Sequence, residues 1–405
     1  MDLCIARQPI FNLHKRLHAY ELLFRGTGEW QLDNISGNRA TSALLSSTFL
    51  TEGIERITGA KPCFVNFTAE LLLKNIVSAF PKNRLVVEVL EDVEPTPAIV
   101  EACRKIKREG YTIALDDFVY ASRYDPLVKL ASIIKVDFKL TPVGKVHRML
   151  EQMSHIPNLT FLAEKVETYD EFEKALKLGF TYFQGYFFSR PETIEIRELT
   201  SVKVNLLRLL AEVAKKKTTI SRLEEIVAAD VALTYKLLRF LNSAHFYLLE
   251  KVTSVSRAIA YLGAKRFRRF VLLVLISEMA TDKPEELVRL AIIRAKFCEL
   301  LAEAGDLEEH ASELFIVGLF SSIDAMLDRP MRDILKELPL KEEVQSALID
   351  TSGPYGPILQ AVLSYEGDQR GQCLDCLRQA GVDGARLASI YLRAMEYGDQ
   401  LLLDF

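Results

Sequence analysis

The sequence predicts a multidomain chain, with a TIM-like α/β barrel first and an all-α domain second, on three observations. Short apolar runs ending in polar residues alternate with amphipathic stretches up to about Phe188. From Glu198 onward only long helical patterns recur. The 405 residues also exceed one ordinary core, and that length suggests about two to three domains.

The apolar runs are Cys63 to Phe67, Leu85 to Val89, Thr112 to Phe118, Ile133 to Phe138, Thr160 to Val166 and Tyr182 to Phe188. Amphipathic stretches such as Ala69 to Phe80, Thr96 to Glu109 and Tyr169 to Leu178 separate them. Such alternation predicts parallel strands joined by crossover helices. In the second half, Val202 to Lys215, Ile220 to Ala229, Val231 to Leu241 and Val288 to Ala304 carry helical patterns. The boundary falls near residues 192 to 200, assigning 1–195 to the barrel and 196–405 to the helical domain.

With 51 basic against 55 acidic residues, the charge balance gives no whole-chain argument for a nucleic-acid binder. The cluster Lys265-Arg266-Phe267-Arg268-Arg269-Phe270 reads as a solvated helix face ending in buried Phe267 and Phe270. The start lacks a basic segment followed by an apolar stretch, and the run Phe270 to Ile276 is too short to span a bilayer. The expectation is a cytoplasmic protein without membrane insertion. Cys373 and Cys376 have metal-like spacing but no second pair or nearby histidine. They are expected to be reduced residues on a helix.

The polar residues near the strand ends are Glu21, Asn66, Glu88, Asp116, Asp117, Lys135, Glu164 and Gln184. From Asn66 onward they recur at intervals of 22, 28, 19, 29 and 20 (Asn66, Glu88, Asp116, Lys135, Glu164, Gln184), each long enough for a strand, a return helix and two loops. Strand ends converge on one rim of a barrel, so these residues can share a pocket. Two like charges about 4 Å apart repel by roughly 4 kcal/mol at an effective dielectric near 20, and one lysine cannot neutralise five carboxylates. Convergence therefore requires protonated carboxylates or hard cations such as Mg²⁺ or Mn²⁺, which activate water and stabilise phosphodiester displacement. The competing reading is separate helix caps and ion pairs. Adjacent Asp116 and Asp117 weaken it, because alternate strand faces would bury one of them unless the strand has already ended.

In order, Gln8-Pro9-Ile10, Glu21-Leu22-Leu23-Phe24-Arg25, Asn66, Glu88 with Glu91, Asp116-Asp117-Phe118, Lys135-Val136-Asp137, Ala163-Glu164-Lys165-Val166-Glu167-Thr168, Gln184-Gly185-Tyr186 and Ser189-Arg190-Pro191 resemble the EAL domain, a bacterial cyclic-di-GMP phosphodiesterase family. The resemblance implies that Glu21, Asn66, Glu88 and Asp116 bind a first Mg²⁺ or Mn²⁺, and that Asp116 and Asp117 help hold a second. It implies Glu164 as general base or partner of a metal-held water, Lys135 as orienter of the attacking water or stabiliser of charge, and Gln184 as support. Gln8 and Arg25 would hold the dinucleotide, and Glu91 would position the loop after Asp117. The implied product is linear pGpG.

Three positions depart from the family pattern. Leu22 replaces the signature alanine, and Val119-Tyr120-Ala121-Ser122-Arg123-Tyr124 replaces a glycine-rich loop, predicting a stiffer one. Lys165 replaces the usual glycine, and as a strand neighbour of Glu164 it is expected to face the opposite side. A catalytically inactive cyclic-di-GMP receptor is the alternative reading.

The text from Ile226 to Asp230, Leu237 to Ala244 and Ser254 to Gly263 resembles the HDOD domain, similar to HD phosphohydrolases but generally without their metal ligands. After residue 200 only His245 and His310 occur, and Ser321-Ser322 stand where the related enzymes carry their His-Asp pair. The resemblance implies a non-catalytic regulatory domain that binds an unidentified protein partner. A homodimer is a further expectation from the EAL resemblance.

Overall fold

The computed structural model describes residues 3–26, 55–153, 155–189, 201–214, 218–241, 252–367 and 369–404. The chain divides into two compact units, 1–190 and 191–405. The expected boundary at 195/196 lies outside the described residues.

In the first unit, β1 (Leu3–Asn12), β2 (Leu17–Gly26), β3 (Cys63–Phe67), β4 (Leu85–Val89), β5 (Thr112–Leu115), β6 (Ile133–Asp137), β7 (Thr160–Glu164) and β8 (Tyr182–Gln184) form a closed barrel in sequence order. Every residue of β4 and β6 is buried, as expected of strands covered on both faces. The expectation of parallel strands needs one correction. From β2 to β8 neighbouring strands are parallel, but β1 runs antiparallel to both β2 and β8. A short turn joins β1 to β2, too short for the crossover a parallel pair needs.

Helices follow the alternation. Thr96 caps Pro97–Arg108 by accepting from the Ile99 N–H, and Thr168 with Glu171 forms a capping box at the start of Tyr169–Lys177. The expected helix from Ala69 to Phe80 is instead Ala69–Leu73 followed by a 3₁₀ turn, Ile76–Ala79, with left-handed Asn75 between them.

One layer of the barrel interior takes a single residue from each strand: Ile10, Ala19, Phe64, Val86, Ala114, Ile133 and Leu162, with Tyr182 packed against them. Side chains two positions apart on a strand share a face. The next layer toward the carboxyl ends of β2 to β8 is therefore Glu21, Asn66, Glu88, Asp116, Lys135, Glu164 and Gln184. Because β1 is reversed, its contribution to that layer lies two residues earlier, at Gln8.

The second unit is helical among its described residues, with Ser201–Ala214, Ile220–Ala229, Val231–Leu241, Glu285–Ala304, Ala311–Phe320, Gly356–Glu366 and Leu387–Asp404 as major elements. The stretch Val255–Met279 contains a kink at Gly263, whose φ of 72° is non-helical. Gly318 lets Ala311–Phe320 lie directly on Glu285–Ala304, since a Cβ there would stand 2.3 Å from the Arg294 carbonyl oxygen. Among the described residues no helix is long and apolar enough to cross a membrane.

Candidate active site at the barrel rim

Lys135 is fully buried at the centre of the polar layer. Its ammonium lies 2.8 Å from Glu164, 2.9 Å from Asp116 and 3.5 Å from Glu21, and it donates to Glu88 at close range. Strand register brings the partners together: Asn66 lies opposite Glu88, and Gln8 opposite Glu21. Gln184 Nε2 donates to Glu21 and, at 2.9 Å, to Gln8, tying the two ends of the unit across the barrel seam.

Asp116 and Asp117 reach the same rim by a different route. β5 ends at Leu115, and Asp117 adopts a left-handed φ of 38°, so strand alternation does not separate the two carboxylates. One oxygen each from Asp116, Asp117 and Glu164 lie within 4.8 Å of one another, as do one each from Glu21, Glu88 and Glu164. Glu164 is thus common to both groups, beside both positions that the carboxylates outline. Among the described residues these are the only groupings of this kind, and both lie in the barrel.

Five buried oxygens here lack a hydrogen-bond partner: Asn66 Oδ1, Glu88 Oε2, Asp117 Oδ1, Glu164 Oε2 and Gln184 Oε1. Buried acceptors are normally satisfied, and leaving one unpaired costs about 1–3 kcal/mol. An all-oxygen donor set with open lone pairs fits a hard divalent cation.

Electrostatics agrees. Burial, reinforced by Glu21, Asp116 and Glu164, pushes Glu88 well above the usual carboxylate range against the pull of Lys135. Burial raises Glu164 to about 8, with Asp116 and Glu21 adding to the rise and Lys135 opposing it. Burial also works against ionised Asp116, yet Lys135 holds it below its ordinary value. Lys135 loses hydration by burial, but Glu164, Glu21, Glu88 and Asp116 together raise it and keep it charged. Without a cation, then, burial and crowding favour the protonated forms of Glu88 and Glu164.

Glu91 is exposed and is not among the carboxylates on Lys135. It lines a small cleft with Asp116, Asp117, Val119 and Tyr124. The loop after Asp117 packs Phe118 edge-on to Tyr120 and Tyr124, and Tyr120 Oη donates to Asp125 at 2.9 Å. Arg25 belongs to β2, but its side chain lies outside the described residues.

Lys165 corrects an expectation. Instead of facing away, its ammonium sits 2.5 Å from Asp137 and 3.7 Å from Asp117. β7 has ended at Glu164, and Lys165 has a left-handed φ of 55°, which turns the side chain back to the rim. Asp137, two residues beyond Lys135 on β6, was not singled out from the sequence. Its sequence signals are its place in the Lys135-Val136-Asp137 motif and the same period of two that places Lys135.

In the helical unit, Arg294 is buried and donates to Glu366 through Nε at 3.0 Å and Nη2 at 2.7 Å. Its Nη1 donates to Ser322 at 2.9 Å and Ser321 at 3.3 Å. The two serines thus receive a guanidinium. His310 is exposed to an intermediate degree near Tyr355, and His245 lies outside the described residues. The Lys265–Phe270 cluster is only partly solvated, a second correction. Arg268 donates to the Val213 and Thr218 carbonyls and Arg269 to Glu299, while Phe267 and Phe270 are buried. Cys373 and Cys376 are buried on one helix, Arg370–Gln379.

The EAL domain family model matches residues 2–191 and the HDOD domain model residues 199–338. Uncharacterized protein YuxH of Bacillus subtilis (strain 168) is 37% identical over 410 residues, covering 99% of either chain. Cyclic di-GMP phosphodiesterase CdgJ of Vibrio cholerae serotype O1 is 36% identical over 376 residues, 92% of this chain and 87% of that one. Among solved structures, the Klebsiella pneumoniae BlrP1 calcium/cy-diGMP complex aligns with 47% of this chain and 56% of its own at 21% identity and a TM-score of 0.39. Matched in both domains, in order, and by relatives of nearly the same length, the chain belongs to the two-domain EAL–HDOD family of bacterial signalling proteins.

Proposed function

We propose that this chain is a cyclic-di-GMP phosphodiesterase that opens one phosphodiester bond to give pGpG, using Mg²⁺ or Mn²⁺. The observation that carries the reading is the ring of carboxylates on buried Lys135, with unpaired oxygens of Asn66, Glu88, Asp117 and Glu164 turned toward no protein partner. The relative named as a cyclic-di-GMP phosphodiesterase supports the substrate. Divalent cations, when bound, neutralise phosphoryl charge and acidify water. Glu21, Asn66, Glu88 and Asp116 would hold one cation, and Asp116 and Asp117, joined by Glu164, a second.

The chain's own groups do the rest. Glu164, buried at the rim with Oε2 unpaired, accepts the proton of the attacking water. Lys135 fixes the carboxylates and offers charge to the developing phosphorane oxygens. Gln184 keeps Glu21 oriented and Gln8 stands beside it at the dinucleotide side, with Arg25 assigned to the same ligand and Glu91 to the loop. The helical unit is assigned a regulatory role toward a protein partner because its His-Asp position is taken by serines bound to Arg294; a cytoplasmic location and a homodimer are assigned separately, the homodimer from the EAL resemblance.

The contact of Lys165 with Asp117 favours a second reading, a receptor that binds the dinucleotide without turnover. Product analysis with cyclic-di-GMP separates the two, in Mn²⁺ or Mg²⁺ and in EDTA, with Glu21→Ala and Glu164→Ala alongside. Metal-dependent pGpG lost in both variants is the expected result. Binding without product selects the receptor, and neither binding nor product rejects both.

A further inference from the structure

The rim carries an internal cation, Lys165, to which the phosphodiesterase reading gives no role. Lys165 Nζ lies 3.7 Å from Asp117 Oδ2, and Asp117 belongs to the group with Asp116 and Glu164. Its position is built. Asp137 Oδ1 accepts from the Lys139 and Leu140 N–H groups, both at 2.8 Å, leaving Oδ2 for the Lys165 ammonium at 2.5 Å. The left-handed backbone at Lys165, a conformation an L side chain adopts only under constraint, aims the chain at the rim. Glu164 is almost entirely buried and its Oε2 is unpaired, as is Asp117 Oδ1, so the carboxylates still present open lone pairs beside the ammonium. The Lys165 side chain is half exposed and has room to swing into solvent.

We propose that Lys165 competes with the second divalent cation for Asp117, making that cation position conditional while leaving the first intact. The inference rests on the divalent-cation reading above. At low metal concentration the ammonium neutralises Asp117 and the site holds one cation. At higher concentration a second cation displaces the ammonium, which retains Asp137. Metal concentration therefore sets the fraction of molecules with both positions filled, and Lys165 sets the concentration at which this happens.

The test is Mn²⁺ titration of the full chain followed by electron paramagnetic resonance, counting bound equivalents without substrate. Wild type is expected to bind one Mn²⁺ with a second equivalent well separated in affinity. Lys165→Gln removes the charge and keeps the backbone, whereas Lys165→Gly also releases the left-handed constraint. Both should tighten the second equivalent by about tenfold, the effect of one unit charge some 4 Å away under substantial solvent screening. The first equivalent should stay unchanged, and Asp117→Asn should lose only the second. Circular dichroism confirms that each variant is folded. An unchanged second equivalent in both Lys165 variants, with the first still bound, overturns this inference alone. So does a second equivalent that survives in Asp117→Asn. Wild type that binds no Mn²⁺ overturns the cation reading itself.

Discussion

Replacing Lys135 by Met keeps the length of the side chain and removes the one positive charge at the centre of the ring. The ammonium is fully buried and lies within 3.5 Å of four carboxylates. Removing one member of a buried ion cluster typically costs about 3–5 kcal/mol, because the remaining charge is left uncompensated. For a unit of this size, 1 kcal/mol moves the melting temperature by roughly 2–4 °C, so the barrel transition in EDTA should fall by roughly 6–20 °C at pH 7.5. Two further features distinguish charge from packing. Lowering the pH toward 5.5 should narrow the gap, since the orphaned carboxylates take up protons. Saturating Mn²⁺ should raise the variant more than the wild type, because the cation replaces the missing ammonium as well as stabilising the native state by mass action. Differential scanning calorimetry of both proteins, with EDTA and with Mn²⁺, reads all three. A variant that melts within about 1 °C of wild type in EDTA would refute the account of Lys135 as the charge that holds the ring together.

The proton on Glu164 gives a second expectation. Burial raises the Glu164 pKa in the folded state to about 8 from an ordinary 4.5, so the cation-free native state binds more protons than the unfolded chain between those limits. Stability in EDTA should therefore fall as pH rises from about 4.5 to about 8, and Glu164→Gln should flatten part of that slope in urea titrations at pH 6 and pH 8. Adding Mn²⁺ at pH 7 in weak buffer should release protons from wild type and fewer from Glu164→Gln, and equal release would sink the assignment. In the helical unit, Arg294→Met should cost about 3–5 kcal/mol by stranding Glu366, and Arg294→Met combined with Glu366→Met should recover most of it. Urea unfolding measures both, and a single variant as stable as wild type would rule out the buried pair as a support.

The site was legible in the sequence because one arithmetic governs it. Each of Glu21, Asn66, Glu88, Asp116, Lys135, Glu164 and Gln184 stands two residues after the apolar residue its strand gives to the inner layer. Gln8 escaped that arithmetic, since an antiparallel strand counts backwards and nothing in Gln8-Pro9-Ile10 states its direction. Lys165 was misread for a related reason: the alternation of faces holds only while the strand lasts, and β7 stops one residue earlier. The pairing of Arg294 with Glu366 was invisible because 72 residues separate partners on different helices, and a helical pattern alone does not say which helices touch. All six strand runs were recognised at their starts, and Cys63 to Phe67 and Leu85 to Val89 also at their ends, but the other four were overextended, as Thr112 to Phe118 against Thr112–Leu115, because apolar residues such as Phe118 continue past the last ladder bond.

The reversed first strand also sets a timetable for synthesis. β1 pairs with β2 at once, through a local hairpin, but its other edge is completed only by Tyr182, Phe183 and Gln184. At about 5–20 residues per second, the open edge of β1 waits on the ribosome for roughly 10–35 s before its last neighbour is made. Throughout that interval β1 lacks the pairing that closes the barrel at its second edge. The glutamine contact that joins β8 to Gln8 and Glu21 thus forms only after nearly the whole barrel has been translated. Slowing translation after Gln184, rather than before it, is where a pause would let the barrel close before the helical unit emerges.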